Sequence, residues 1–478
     1  MKLEDVSRRD FLKYTGGGLA TIVIGSGAAW MQSTAFATSG YKGLQWTITD
    51  ALKNMVTHNS INTAQCYFWA YKDKDLPVEV PGPIVMATEG TTIPVWLQNN
   101  LQQPHAFSIP GVVDSGPINP GATASFSFVA PPAGTYMYFD NLNAPVNRVM
   151  GLHGVFISMP AAAAPGHKFT PYANPTAAVQ QLFDDFGSAA FFPGLAWEQG
   201  DANSGTPGFR QYVWLIHEAS SRLFAEVGSL KAGQTMAPSD FTQQFLSDPF
   251  QTNGRNRKPE FFTIVGQSGH FSHNNPFICP MSRVGEPVVI RILNAGLNTH
   301  SLHIHANHVY VTSINGVVQD NPLWVDTFTC HPLDRFEYTV PYMRPPDVPN
   351  TRGIGLPDTP LVSLANPDIQ GSQPHPVWPP TEELNTFLPP VGTKTGNVDI
   401  SVRLSPICYP MHDHSEASQT SQGGNYNCGM ISGINFIGDR NIDPAGVVTF
   451  PEAPTQRGPQ FVPPVSDVAA AGPDTSIT

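Results

Sequence analysis

A strand pattern that occurs twice in the chain constrains the fold more than any other feature of the sequence. Residues 89–99 and residues 283–294 each contain a Gly, continue as an apolar-rich strand and end in Asn. Similar short runs of β-branched and aromatic residues, bounded by Gly, Pro and Asn, recur from residue 44 to 160 and from 210 to 438. The repeat predicts two homologous antiparallel β-sandwiches.

The two copies differ in the histidines that follow this strand. The segment that begins at His105 lines up with the segment that begins at His300. Ser108 and Pro110 stand where the second copy has two further histidines. The first copy has therefore lost side chains that the second copy keeps.

Composition agrees with an all-β fold. The 478 residues include 42 Gly and 47 Pro, which favour turns over helices. Charged residues make up 13% and hydrophobic residues 41%, with 28 Phe, which is enough for a large core. Helical periodicity is limited to residues 177–186 and 219–230. A net charge of -12 argues against nucleic acid as a partner, because that affinity needs clustered Lys and Arg.

The N-terminal residues resemble an export signal. Residues 7–13 match the twin-arginine pattern, and an apolar Gly/Ala-rich stretch leads to the A-x-A site at residues 35–37. We therefore expect a periplasmic or extracellular protein, with no transmembrane segment after cleavage of the signal.

The sequence also predicts how the chain is divided. The predicted divisions are a signal peptide at 1–37, a first domain at 44–160, a connector at 161–208, a second domain at 209–440 with a Pro-rich insertion at 344–395, and an extended tail at 441–478.

Five cysteines in an oxidising compartment allow two disulfides and one remaining thiol. We expect Cys279 to pair with Cys330 and Cys408 with Cys428, which leaves Cys66 free. No C-x-x-C motif occurs, so neither a zinc ribbon nor a thioredoxin-like centre is supported.

Two pairs of histidines predict a metal site. Residues i and i+2 of a strand point to the same face, so His303 shares a face with His305, and His412 with His414. If the two strands are neighbours, four imidazoles converge. Imidazole suits copper, zinc, nickel and iron, and the spacing alone does not fix the metal. The alternative is a set of core histidines that hydrogen-bond to one another and to backbone carbonyls.

Together these motifs resemble the multicopper oxidases. The H-x-x-H-x-H of residues 300–305 and the H-x-H of residues 412–414, ahead of Gly429 and Met430, are similar to the copper-binding segments of that family. Strand phrases similar to laccase landmarks extend over residues 75–440. The resemblance implies two cupredoxin-like Greek-key β-sandwich domains, copper as cofactor, oxidoreductase chemistry on a small molecule or metal ion, and assembly into a homo-oligomer, a trimer in two-domain relatives.

The resemblance also implies metal-binding roles. By analogy, His300 occupies a blue-copper (type 1) position and His303 a type 2 position. The type 3 positions fall on His305, His412 and His414.

The sequence departs from the family at the type 1 site. Asp413 stands where the family has the type 1 cysteine, and Asn425 where it has a histidine. A blue copper centre needs a thiolate. The first domain also lacks H-x-H motifs at residues 108–110 and 139–141. We therefore expect neither a blue copper nor the four-electron reduction of dioxygen.

Two functions follow from these observations. The first is an exported, copper-binding, multicopper-oxidase-like protein with a smaller His-ligated copper site. The second is a metal-free cupredoxin-fold scaffold or partner-binding protein of the cell envelope.

The other histidines have expected roles outside the cluster. We expect His300 and Asp413 to face away from the cluster as a hydrogen-bonded ion pair. We expect His105, His153 and His308 not to be ligands.

Overall fold

The structure is a computed structural model that covers most of both predicted domains. It describes residues 21–24, 43–56, 63–186, 209–247, 257–273, 275, 277–282, 288–305, 307–340, 347–348, 362–363, 407–421, 429–436, 441–442 and 448–449.

The first domain is a β-sandwich of two sheets. Its strands are β1 (Thr21–Ile24), β2 (Leu44–Val56), β3 (Thr63–Asp73), β4 (Ile84–Thr88), β5 (Thr92–Asn99), β6 (Ser108–Ile109), β7 (Val113–Asp114), β8 (Thr123–Val129), β9 (Gly134–Phe139) and β10 (His153–Met159). One sheet has the order β3-β2-β5-β8 and the other β1-β4-β10-β9-β6-β7. β5 alternates exposed and buried residues, so Ile93, Val95 and Leu97 face the core together.

The second domain is also built mainly from two sheets. Its strands are β11 (Arg210–Ala219), β12 (Phe261–Ile264), β13 (Met281–Ser282), β14 (Val288–Asn294), β15 (His300–Ile304), β16 (Val309–Ile314), β17 (Val317–Val325), β18 (Thr327–Cys330), β19 (Arg335–Val340), β20 (Asp347–Val348), β21 (Val362–Ser363), β22 (Ile407–Asp413), β23 (Ile431–Phe436), β24 (Asn441–Ile442) and β25 (Val448–Thr449). The large sheets have the orders β12-β11-β14-β19-β16-β17 and β13-β23-β22-β15-β18; β20-β21 and β24-β25 form two small ones.

The strands that carry the sequence repeat have equivalent neighbours in the two domains. β5 pairs in parallel with β2 and antiparallel with β8. In the same way, β14 pairs in parallel with β11 and antiparallel with β19. The predicted all-β class with two cupredoxin-like sandwiches is therefore confirmed.

Short helices fill the connections. They are α1 (Val146–Val149), α2 (Ala177–Phe186), α3 (Ser221–Gly228), α4 (Pro238–Leu246), α5 (Gly269–His273) and α6 (Glu416–Gln419). The two predicted helices correspond to α2 and α3, whereas α4 was not predicted. α3 starts at the Ser220 cap, whose side chain accepts the Leu223 N–H, and α4 starts with Pro238 at its first turn. No helix among the described residues is long and apolar enough to span a membrane.

The two sandwiches share a core. Ile84, Met137 and Val155 of the first domain pack in one cluster with Tyr212 and Trp214 of the second. A buried ion pair of the second domain lies at the same interface. Fully buried Arg291 contacts the Glu337 carboxylate of its own domain and donates to the Thr135 hydroxyl of the first domain, each at 2.7 Å. The hydrogen bond to Thr135 therefore links the first domain to this buried pair.

The predicted Cys279–Cys330 disulfide is wrong. Cys66, Cys279, Cys330 and Cys408 are all free thiols. Cys279 precedes edge strand β13, whereas Cys330 ends β18 at the opposite edge of the five-stranded sheet. Four strand spacings of about 4.8 Å separate them, far beyond the roughly 7 Å limit between bridged Cα atoms. Cys428, the predicted partner of Cys408, lies outside the described residues.

Most of the N- and C-terminal predictions fall on residues that the structure does not describe. Of the predicted signal peptide it describes β1, which pairs in parallel with β4. The twin-arginine motif, most of the Pro-rich insertion and most of the tail lie outside the described residues, so these divisions stay predictions.

Candidate metal centre

The two histidine motifs lie on neighbouring strands. β15 and β22 pair antiparallel in the middle of the five-stranded sheet, and His303 stands opposite His412. Because alternate residues of a strand share a face, His305 and His414 lie on the same side as this pair. The structure thus brings four of the five predicted ligands onto one surface of the second domain.

Three of these imidazoles approach one another closely enough to hold one ion. One ring nitrogen each from His303, His305 and His412 lies within 4.8 Å of the others. The Nε2 atoms of His305 and His412 are 2.9 Å apart. The His414 ring lies 5.3 Å from the His303 ring and 5.5 Å from the His412 ring, between centroids. Among the described residues, no other three His, Cys, Asp or Glu side chains bring one ligand atom each within 4.8 Å of the others.

Hydrogen bonds on the far side of the rings orient two of the imidazoles. His412 Nδ1 is 2.9 Å from the Asp413 carbonyl oxygen and 2.8 Å from the Gln419 side-chain amide, so this side of the ring is held by its neighbours and Nε2 faces the cluster. His303 Nδ1 is 2.8 Å from the Thr327 hydroxyl. This is the ring orientation that metal-binding histidines generally need.

The electrostatic environment favours neutral imidazoles. Burial lowers the pKa of His303 and of His305, and the neighbouring His412 lowers both further. His412 is buried, whereas His305 is exposed. Neutral rings can bind a metal without first losing a proton, and the exposed side of the cluster leaves a route for an ion or a small molecule.

His300, the fifth predicted ligand, does not join the cluster. Its Nδ1 is 2.7 Å from Asp413 Oδ2 and its Nε2 is 2.6 Å from Glu218 Oε1. Burial disfavours a charge on His300, but the bonds and charges of the two carboxylates outweigh it and raise the pKa of His300 to about 9. His300 is therefore a buried imidazolium between two carboxylates.

Asp413 is held equally firmly. It accepts hydrogen bonds from the Ser301 backbone N–H at 2.6 Å and from the Ser418 hydroxyl. Burial raises the pKa of Asp413, but the bond and charge of His300 outweigh burial and lower it. The expected ion pair of His300 and Asp413 is present. Glu218 was missed, because it lies 82 positions from His300 and has no motif of its own.

The first domain has the same framework without the cluster. Ser108 stands opposite Phe139 across β6 and β9, in the pairing that His303 and His412 adopt in the second domain. His105 Nδ1 lies 2.7 Å from the buried Asp140 carboxylate, the same distance that separates His300 and Asp413. Neither Ser108 nor Phe139 supplies an imidazole, so this surface has no equivalent ligand group.

Two histidines that were not predicted to be ligands, His308 and His153, pack against other rings. His308 stacks on Trp324, with ring centroids 5.4 Å apart. His153 is fully buried beside His217, and burial lowers its pKa to about 4. The side-chain amide of Gln419 lies 2.8 Å from His412 Nδ1, so Gln419 lies next to the cluster.

The donor set fits one kind of copper site and not another. Three imidazoles whose ring nitrogens lie this close together are ligands that copper accepts readily. A blue copper site needs a thiolate, and the corresponding position holds the Asp413 carboxylate, already bonded to His300. The residues present therefore fit a His-ligated copper ion but not a type 1 copper.

Comparison with known proteins gives a family match outside the histidine cluster. The multicopper oxidase family model matches residues 76–162, a stretch that begins after β3 of the first domain and includes its last strand, β10. No curated protein matches the sequence.

Similar solved structures include the blue copper oxidase from Nitrosomonas europaea, with 15% identity, a TM-score of 0.48, and coverage of 82% of this chain and 85% of that one. Multicopper oxidase mgLAC has 16% identity, a TM-score of 0.48, and coverage of 87% and 86%. A further multicopper oxidase has 14% identity, a TM-score of 0.44, and coverage of 86% and 96%. Over residues 76–162 this chain is similar to the multicopper oxidase family, in agreement with the resemblance predicted from the motifs.

Proposed function

We propose that this protein binds a single copper ion through His303, His305 and His412 and acts as an oxidoreductase without a blue copper. The observation that carries the proposal is the approach of three imidazole nitrogens to within 4.8 Å on one exposed face. His414 lies beside the three and provides a further nitrogen at the edge of the cluster.

Copper bound to imidazoles supplies one-electron oxidation and reduction. The surrounding residues set the conditions for it: Thr327 and the Asp413 carbonyl orient two of the rings, and burial, which lowers the pKa of His303 and of His305, favours the neutral form of these two. Exposed His305 leaves one side of the cluster open to solvent. A small molecule or a metal ion can approach from that side, so we propose these as the substrate classes.

Electron entry through a type 1 copper is not part of the proposal. The buried His300 imidazolium and its two carboxylate partners occupy the pocket in which that ion would lie. The substrate must then exchange electrons at the histidine cluster itself.

A metal-free scaffold is the second candidate. It is favoured by the first domain, whose Ser108 and Phe139 leave the equivalent surface without ligands. In that case the second-domain histidines would be hydrogen-bonded surface groups, and both domains would serve only as a binding surface in the cell envelope.

Copper content separates the two candidates. Purified protein loaded aerobically with Cu(II) should contain about one Cu(II) ion per chain, show a paramagnetic signal typical of nitrogen-ligated Cu(II), and lack intense blue colour. The His303→Ala/His412→Ala variant should lose the metal, whereas a His167→Ala/His331→Ala control, which replaces two more exposed histidines, should keep it. A metal-free wild-type protein with unchanged stability would instead support the scaffold.

We also propose export by the twin-arginine pathway, from the motif at residues 7–13. Replacing Arg8 and Arg9 by Lys should retain the protein in the cytoplasm, as measured by cell fractionation. Normal export of this variant would contradict the proposal.

A further inference from the structure

A second group of metal-binding side chains surrounds Gly433, away from the histidine cluster. Cys408 Sγ lies 3.9 Å from His273 Nε2. On another side of Gly433, Cys279 Sγ contacts the Gly433 carbonyl oxygen at 3.3 Å. Three separate parts of the chain meet here, because Cys408 is in β22, His273 ends α5 and Cys279 precedes β13.

The separation of the first two ligand atoms suits an ion between them. With metal–sulfur and metal–nitrogen bonds of about 2.3 and about 2.0 Å, a spacing of 3.9 Å gives an angle of roughly 130° at the ion. That angle is close to trigonal, so it leaves room for a third ligand.

His273 is in the tautomer that a ligand needs. Its Nδ1 is 2.9 Å from the Ser432 carbonyl oxygen, so Nδ1 donates and Nε2 presents its lone pair to Cys408 Sγ. The buried Ser432 hydroxyl lies beside the Cys279 thiol and interacts with it.

Glycine at position 433 keeps the space open. A Cβ there would lie 2.6 Å from Cys408 Sγ and 3.3 Å from the His273 ring. Cys408 and His273 are partly exposed, whereas Cys279 is fully buried. An ion could therefore reach the exposed pair from solvent and be enclosed by the buried thiol.

We propose that Cys408, His273 and Cys279 form a binding site for a soft monovalent metal ion, Cu(I). Sulfur ligands favour Cu(I), and a set of two sulfurs and one nitrogen matches its preference for soft, low-coordinate sites. In binding, each thiol S–H bond breaks, a sulfur–metal bond forms, and the two protons pass to solvent. Cys279 must leave its bond to the Gly433 carbonyl, since the three ligand atoms do not yet lie within 4.8 Å of one another.

Proton release makes binding stronger as pH rises. Burial raises the pKa of Cys408 to about 11 and that of Cys279 to about 12, with the nearby Cys408 adding to the latter. Both thiols are therefore protonated near neutral pH, and the metal must displace those protons.

The site is separate from the proposed oxidase centre. Cys408 and His412 lie on the same face of β22, four residues apart, which is about 13 Å along a strand. The two sites share no ligand, so either can be present without the other.

Competition with a Cu(I) chelator under anaerobic, reducing conditions tests the proposal in the full chain. The measurement should be made in the His303→Ala/His412→Ala background, so that the histidine cluster does not contribute. In that background, Cys408→Ser and His273→Ala should each weaken Cu(I) binding at least about 100-fold, and Gly433→Ala should weaken it by steric filling. Cys330→Ser, which removes a buried thiol elsewhere, should have no effect.

Equal Cu(I) affinity of the Cys408→Ser and Cys330→Ser variants would overturn the site. A second measurement needs no ligand substitution: alkylation of the partly exposed Cys408 in the unsubstituted chain should slow at least tenfold when Cu(I) is added. An unchanged alkylation rate would equally contradict the proposal, whatever the outcome at the histidine cluster.

Discussion

The two domains have equivalent strand pairings but differ in the residues at one matched position. His303 faces His412 in the second domain, and Ser108 faces Phe139 in the first. Both domains nevertheless keep a buried His–Asp pair at 2.7 Å, His105 with Asp140 and His300 with Asp413.

The comparison separates structural from functional histidines. A buried His–Asp pair that persists in a domain without the cluster contributes to the fold, because a buried carboxylate needs a partner. Of the clustered imidazoles only His412 is buried, and the cluster occurs in one domain, so the core of such a domain does not require it.

The largest expected effect is on copper affinity at the matched position. His412→Ala should weaken Cu(II) binding at least about 100-fold, because it removes a buried ligand whose Nε2 lies 2.9 Å from that of His305. Phe139→Leu, at the equivalent position of the first domain, should leave the affinity unchanged. Calorimetric titration measures both, and a similar loss in the two variants would remove the distinction between the domains.

The next effect concerns the His–Asp pairs. Asp413→Asn should destabilise the protein by about 3 kcal/mol, since it takes a carboxylate from a fully buried imidazolium. Asp140→Asn should cost about 1–2 kcal/mol, because Asn147 already shares the hydrogen bonding of that carboxylate. Urea unfolding gives both values, and a larger loss for Asp140→Asn would reverse the comparison.

The pH dependence of stability follows from the raised pKa of His300. A pKa of about 9 in the folded state, against about 6.5 in the unfolded chain, stabilises the protein fully below pH 6.5. This stabilisation, at most about 3 kcal/mol, is lost as pH rises from 6.5 through 9. Urea unfolding across this range should show the decline in the wild type and a much weaker one in Asp413→Asn. A slope that survives in Asp413→Asn would assign the effect to another group.

The smallest expected effect lies next to the cluster. Gln419→Ala should weaken copper binding by about tenfold, because its amide lies 2.8 Å from His412 Nδ1 and restricts the ring. Gln319→Ala, a change away from the cluster, is the control for the same titration. Equal affinities in the two variants would show that the Asp413 carbonyl alone orients the ring.

Much of this architecture could be predicted from local patterns. The repeated strand ending in Asn and the alternation of His303 with His305 report directly on strand pairing and on which side chains share a face. Contacts between distant segments carried no such signal. Glu218 reaches His300 from β11, and the strands that Cys279 precedes and Cys408 belongs to lie on the two sides of β23.

The disulfide prediction failed for the same reason. Spacing along the chain suggested that Cys279 and Cys330 close a loop, but the order of strands in the sheet places them at opposite edges. Sheet order depends on long-range pairing, which cysteine spacing in a single sequence does not encode.

Anomalous X-ray scattering at the copper edge, from crystals grown aerobically with Cu(II), is the most direct test of the difference between the domains. The expected map has a single strong peak among the ring nitrogens of His303, His305 and His412, and none between Ser108 and Phe139. A map without a peak at the second-domain histidines would contradict the account.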